Sequence, residues 1–251
     1  MLELLAEHRV LVEWHVRELL GVGEDATARR LRRLASAGLV DYARIFEGHP
    51  AAVSITRRGL GAIGSPLPAP RLDLKGYRHD VGVGWLWLAA RRGAFGPVDA
   101  ITSERTMRSR DRRREAGEQP LGVGLGLHGP HGGEQLHYPD LLLELTGGRR
   151  VAVELELSGK GRRRLDQIMF AYAGDGRLDG VLYLAPPGRI ARDVRDAAGR
   201  AGISDTVKVQ LLADGSPAGA PDPVGRSGAT RRVSRQLALP GPTRDRKAPA
   251  R

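Results

Sequence analysis

The chain has 251 residues, 41% of them hydrophobic, enough for one or two domains with real cores. It has no cysteine, which excludes disulfides and thiolate zinc sites. Lys and Arg number 40 against 29 Asp and Glu, for a net charge of +11, a balance that favours polyanionic partners, nucleic acid above all. No apolar run reaches the length of a membrane span, and the acidic first ten residues do not read as a signal peptide. A cytoplasmic protein without membrane contact is the expectation.

Residues 1–63 read as three short helices and a hairpin. Leu2, Leu4 and Leu5 start a first helix, and residues 11–20 make a second with Val12, Val16, Leu19 and Leu20 on one face. Glu24 and Asp25 suit the positive end of a third helix, which runs to about Ala37 and stops at Gly38. Residues 39–46 and 51–55 read as strands about a turn at 47–50. Thr27, Arg29, Arg30, Arg32 and Arg33 fall on or near the face of the third helix that the core leaves free. Such side chains suit phosphates and guanine edges in a major groove. Arg44, Arg57 and Arg58 are candidates for flanking phosphates. The alternatives are a solvated arginine face or a dimerisation module.

The phrase Leu31-x-x-Leu34-Ala35-Ser36-Ala37-Gly38-Leu39-Val40, then a hairpin, then Ile55-Thr56-Arg57-Arg58-Gly59, resembles winged helix-turn-helix transcription regulators. The resemblance implies a DNA-binding domain over 1–63. Residues 64–75 hold Pro66, Pro68 and Pro70, which prevent a helix and give a stiff linker at a domain boundary.

A helix is expected over 76–92 and a strand over 98–102, followed by Glu104, whose bland reading is a solvated acid. Residues 105–134 are first arginine-rich and then glycine-rich. Dense glycine disfavours helix and strand interiors, so this reads as a flexible insertion, with a basic flap over nucleic acid as the alternative. His128, His131 and His137 lie near one another but lack paired-ligand spacing.

Two apolar runs then flank Thr146-Gly147-Gly148-Arg149, the pattern of a β-hairpin. Residues two apart share a strand face. Asp140, Leu142 and Glu144 therefore share one face, and Glu154 and Glu156 lie side by side on the next strand. If Asp140 meets Glu154 across the hairpin, two carboxylates converge and need a cation between them. Oxygen ligands of that kind suit Mg²⁺, with Mn²⁺ as substitute. The alternative is a polar strand face turned to water. A helix follows near Gly161, then a strand over 180–185, a helix over 190–201 and a strand over 207–212.

Pro139-Asp140, then Glu154-Leu155-Glu156, then a helix resembles the PD-(D/E)XK nuclease core, and the element order over 76–213 matches its αβββαβ arrangement. The resemblance implies metal-assisted phosphodiester hydrolysis with Asp140 and Glu154 as metal ligands. Glu156 stands where that pattern has lysine. Lys160, four residues on, is placed to reach back, and Glu156 is then a second ligand or base. The same resemblance makes Glu104 and Gln167 accessory candidates. The whole chain thus reads as α/β of α+β type.

Residues 214–251 are rich in Pro, Gly, Ser and Arg, with eight basic against three acidic residues. So little apolar surface cannot offset ordering entropy, so a disordered basic tail is expected. The succession of a winged helix, His137-Tyr138-Pro139-Asp140, Val153-Glu154-Leu155-Glu156-Leu157-Ser158-Gly159-Lys160 and a basic helix resembles the replication-relaxation family over roughly 1–212. That resemblance implies a plasmid or mobile-element protein linked to replication. Double-stranded DNA is the expected partner, and a second copy of the chain or a replication protein is a further candidate. A Mg²⁺-dependent nuclease and a non-catalytic DNA-binding regulator or scaffold both fit.

Overall fold

A computed structural model describes residues 1–128 and 133–212. The expected basic tail over 214–251 and His131 lie outside the described residues. The chain is mixed α/β, with helices packed on sheets.

The N-terminal unit runs α1 (Leu2–Glu7), β1 (Leu11–Val12), α2 (Glu13–Leu20), α3 (Glu24–Ser36), β2 (Val40–Ala43), β3 (Ala52–Ile55) and α4 (Arg57–Ala62). Leu11 and Val12 were expected to be helical. Instead they pair antiparallel with Val53 and Ala52, giving the sheet order β1-β3-β2. The helix starts only at Glu13, where an acid meets the helix dipole. His15 Nδ1 accepts the Val12 amide at 3.0 Å and closes that first turn.

Two glycines here are obligatory. Gly38 takes φ +69° just past α3, and the Leu39 amide reaches back to the Leu34 carbonyl. Gly59 sits so close to the Leu39 carbonyl that a Cβ would collide with it, and would lie 2.7 Å from Ile55 Cγ1. Gly59→Ala is expected to destabilise the chain by about 2–3 kcal/mol, read from the urea midpoint.

Residues 64–76 carry no helix or strand. The second unit is α5 (Tyr77–Arg91), β4 (Val98–Ser103), α6 (Glu104–Asp111), β5 (Val123–His128), β6 (Glu134–His137), β7 (Leu141–Leu145), β8 (Arg150–Leu155), α7 (Arg162–Gly174), β9 (Gly180–Ala185), α8 (Arg189–Arg200) and β10 (Val207–Leu211). Its sheet has the order β10-β9-β8-β7-β4. β7 pairs antiparallel with β4 and β8, and β9 pairs parallel with β8 and β10.

The described residues of the 105–134 region correct the expectation of a flexible loop. Its start is helix α6, and residues 123–128 of its glycine-rich part form strand β5, paired with β6. Val123 is buried and Leu125 half-buried, both packed with the α7 and α8 side chains, while glycines take the alternate positions. That is period-2 patterning with glycine on the outer face.

One core runs through both units. Leu5, Leu11, Val16, Leu31 and Ile55 of the N-terminal unit join Leu86, Leu143, Val153 and Leu184 of the second. On the other face of the large sheet, Leu165, Ile168, Met169 and Val194 cover Ala152, Val181 and Tyr183. Helix α5 lies between the two units and is buried nearly all round. Gly84 leaves room there for Leu11 and His15. His15 Nε2 bonds the Val81 carbonyl at 3.1 Å, and Ser103 and Thr106 both donate to Glu7, at 2.6 and 2.8 Å.

Candidate functional site

The hairpin register settles which acids meet. Leu141 pairs with Val153 and Leu142 with Ala152, so Asp140 and Glu154 come opposite one another one step beyond the ladder. The Asp140 carboxylate accepts the Leu155 amide at 2.7 Å, which fixes it to β8. β8 is a central strand, and Glu154 and Glu156 are each only 4% exposed. The acids do not face water.

Each acid carries a partner of its own. Asp140 Oδ2 meets His79 Nε2 at 3.1 Å. Glu154 Oε1 meets His137 Nε2 at 2.6 Å and also accepts the Tyr172 hydroxyl. Glu156 is ion-paired with Lys160, whose side chain reaches back from the turn before α7.

Burial raises Asp140, helped by repulsion from Glu154 and opposed by His79. Burial also pushes Glu154 up, but His137, Lys160 and Tyr172 outweigh it and hold its carboxyl below the usual range. The facing pair is thus shifted in opposite directions, Asp140 up and Glu154 down. Burial pushes Glu156 up, against the pull of Lys160. Burial opposes the charge on Lys160, yet Glu154, Glu156 and Asp140 together raise it. One ammonium therefore serves three carboxylates. Tyr183, beside Glu154 in the β8–β9 register, has a buried hydroxyl without a hydrogen-bond partner among the described residues.

Glu104 opens α6 and pairs with Arg9 and Arg108, both at 2.7 Å. Its backbone amide donates to the Asp140 carbonyl at 3.1 Å, so it adjoins the site as a paired acid and not as a solvated one. Gln167 is half-buried on α7 and makes no side-chain hydrogen bond among the described residues. His79, His137, Tyr172 and Arg9 complete the cluster, and sequence reasoning assigned them no role. The only local hint was the spacing of His137 three residues before Asp140.

Arg29, Arg30, Arg32 and Arg33 are exposed along α3. Thr27 is not with them: it is buried, and its hydroxyl donates to the Gly23 carbonyl at 3.0 Å. Arg57 and Arg58 are exposed at the start of α4, and Arg44 is exposed just past the end of β2.

Whether these acids fit Mg²⁺ turns on their free oxygens. Asp140 Oδ1, Glu154 Oε2 and Glu156 Oε1 accept no hydrogen bond among the described residues. No group of three or more His, Cys, Asp or Glu among the described residues forms a ready cage. The donors fit a hard cation held by two carboxylates with water and phosphate completing the shell, the usual habit of Mg²⁺. They do not fit an all-protein cage.

Comparison with protein-family models, curated proteins and solved structures finds no match. No helix among the described residues is long and apolar enough to cross a membrane.

Proposed function

We propose that the chain is a DNA-binding protein of the replication-relaxation type, acting in replication or DNA relaxation on a plasmid or mobile element. In this reading residues 1–63 are a winged helix that grips double-stranded DNA, and residues 76–213 are a PD-(D/E)XK-like unit that nicks it. The order α1-β1-α2-α3-β2-β3 and the exposed arginines of α3 support the first half. One observation carries the second half. Asp140 and Glu154 face each other across adjacent strands, with Lys160 drawn back among the acids although the lysine slot itself holds Glu156.

Asp140 and Glu154 would hold Mg²⁺, which supplies a Lewis acid for a phosphate oxygen and an acidified water. Lys160 supplies positive charge for a phosphate or orients water. Glu156, with its raised proton affinity, suits a proton acceptor.

A second reading rests on the partners that the acids already have. His79 and Lys160 meet Asp140 and Glu156, and His137 hydrogen-bonds Glu154, without a metal, as a scaffold would require. The unit is then a non-catalytic support for a DNA-binding regulator.

Supercoiled plasmid incubated with full-length protein and Mg²⁺ or Mn²⁺ separates the two. The nuclease reading expects nicked circles, and a loss of at least about 100-fold in Asp140→Ala. Nicking that survives the substitution overturns that site. Tight, sequence-selective and salt-sensitive binding without nicking establishes the regulator.

A further inference from the structure

We propose that Arg9, a residue of the N-terminal unit, is a positioning residue for Asp140, so that the acidic site of the second unit is complete only with the N-terminal unit docked on it.

The geometry is a closed ring. Arg9 Nη2 meets Glu104 Oε2 at 2.7 Å, and Arg9 Nη1 meets Asp80 Oδ1 at 3.3 Å. Asp80 Oδ1 lies 3.7 Å from His79 Nδ1, and His79 Nε2 meets Asp140 Oδ2 at 3.1 Å. The Glu104 amide donates to the Asp140 carbonyl at 3.1 Å and closes the circuit. The five residues come from the α1–β1 connection, the first turn of α5, the first residue of α6 and the β6–β7 connection. They line a cavity of about 20 Å³, room for about one water, together with Glu7, His8, Ser103 and Arg105.

Charge makes Arg9 the keystone of this ring. Glu104 has Arg108 as a second partner, but Asp80 and Asp140 are set against Arg9 and His79. The planar fork of Arg9 holds two of these carboxylates at once, which a single ammonium does less well. Without it, Asp80 loses its arginine and draws His79 away from Asp140. Asp140 Oδ2 then loses its hydrogen bond with His79 and keeps that of the Leu155 amide. The Arg9 side chain is 36% exposed, so a neutral side chain of similar length fits its place without opening the core. Packing supports the same conclusion, because the core is continuous across the two units. Coupling travels through contiguous networks of this kind.

The proposal rests on reading Asp140 as a site residue, but its first measurement does not depend on activity. Native-state hydrogen exchange in full-length Arg9→Met reads the amides of Leu155 and Glu104, which bond the side chain and the carbonyl of Asp140. Both are expected to exchange at least about tenfold faster, with the Val151 and Val153 amides of the sheet interior unchanged. Arg9→Lys is expected to give intermediate rates, and it serves alone if Arg9→Met does not fold. Wild-type exchange at Leu155 and Glu104, or acceleration equal to that of the sheet interior, overturns the positioning role. Plasmid nicking with Mg²⁺ keeps the readings apart. Faster exchange without nicking in the wild type preserves the ring and ends the nuclease reading. Wild-type nicking with unchanged exchange ends only the ring.

Discussion

Stability will fall steeply below pH 6.5, by about 1.4 kcal/mol per pH unit for each of two buried histidines. Burial lowers His8 from 6.5 to about 3, aided by repulsion from His15 and Arg105, and burial lowers His15 to about 3 as well. The His15 hydrogen bonds agree. Nδ1 accepts the Val12 amide, so the neutral ring carries its proton on Nε2, which donates to the Val81 carbonyl. Between pH 6.5 and about 3 the unfolded chain binds these protons and the folded chain does not, so stability drops as pH falls through that window. Over two pH units the pair removes about 5 kcal/mol, comparable with the whole stability of a small domain. His79 has the opposite sign. Burial works against its charge, but Asp140 and Asp80 raise it to about 10. Its contribution is complete below pH 6.5 and is lost as pH rises through about 10. The contributions of these three histidines therefore peak where the two windows meet, near pH 6.5. Urea midpoints at pH 7, 6 and 5 measure the acid flank. A flat midpoint over that range means that His8 and His15 are not held neutral.

The sequence exposed the hairpin and its faces because both are local. The two-residue period of Asp140, Leu142 and Glu144 is visible locally, but a loop over Thr146–Arg149 sets Asp140 opposite Leu155; the structure has Leu145 opposite Arg149, one loop residue fewer, and this brings Asp140 opposite Glu154. Lys160 was legible for the same reason, being four residues from Glu156. The partners of the acids were not. His79 is 61 residues from Asp140, and Arg9 is 71 and 95 residues from Asp80 and Glu104. No periodicity records contacts made only when α5 and the α1–β1 connection dock. The burial of α5 was visible in principle, since residues 81–90 are apolar on every side. The prolines at 66–70 drew attention to a boundary instead, although one core joins what lies on either side of it. In the β5 strand the abundance of glycine hid an alternation with Val123 and Leu125 that has a strand's period.

Breaking the cage around Glu154 should cost about 3 kcal/mol, the upper end for leaving a buried polar group short of a hydrogen bond, as suits a carboxylate. Glu154 is 4% exposed and concentrates its bonds on Oε1, from His137 and Tyr172. His137→Leu leaves a buried carboxylate with the Tyr172 hydroxyl and the more distant Lys160. Its urea midpoint should fall at pH 7. Pairing it with Glu154→Gln removes the orphaned charge, so the double variant should recover about 2 kcal/mol relative to the sum of the singles. If His137→Leu has the wild-type midpoint, Glu154 is not a buried ion held by that histidine. The same variants test the metal without any turnover. A cation bound by Glu154 replaces the lost partner, and its binding energy adds to stability in proportion to the logarithm of its concentration over its dissociation constant. Millimolar Mg²⁺ should therefore restore part of the midpoint in His137→Leu and none in the double variant. Equal response of both places the cation elsewhere. No response of either leaves the carboxylates as internal partners of His79, His137 and Lys160, which is the scaffold reading.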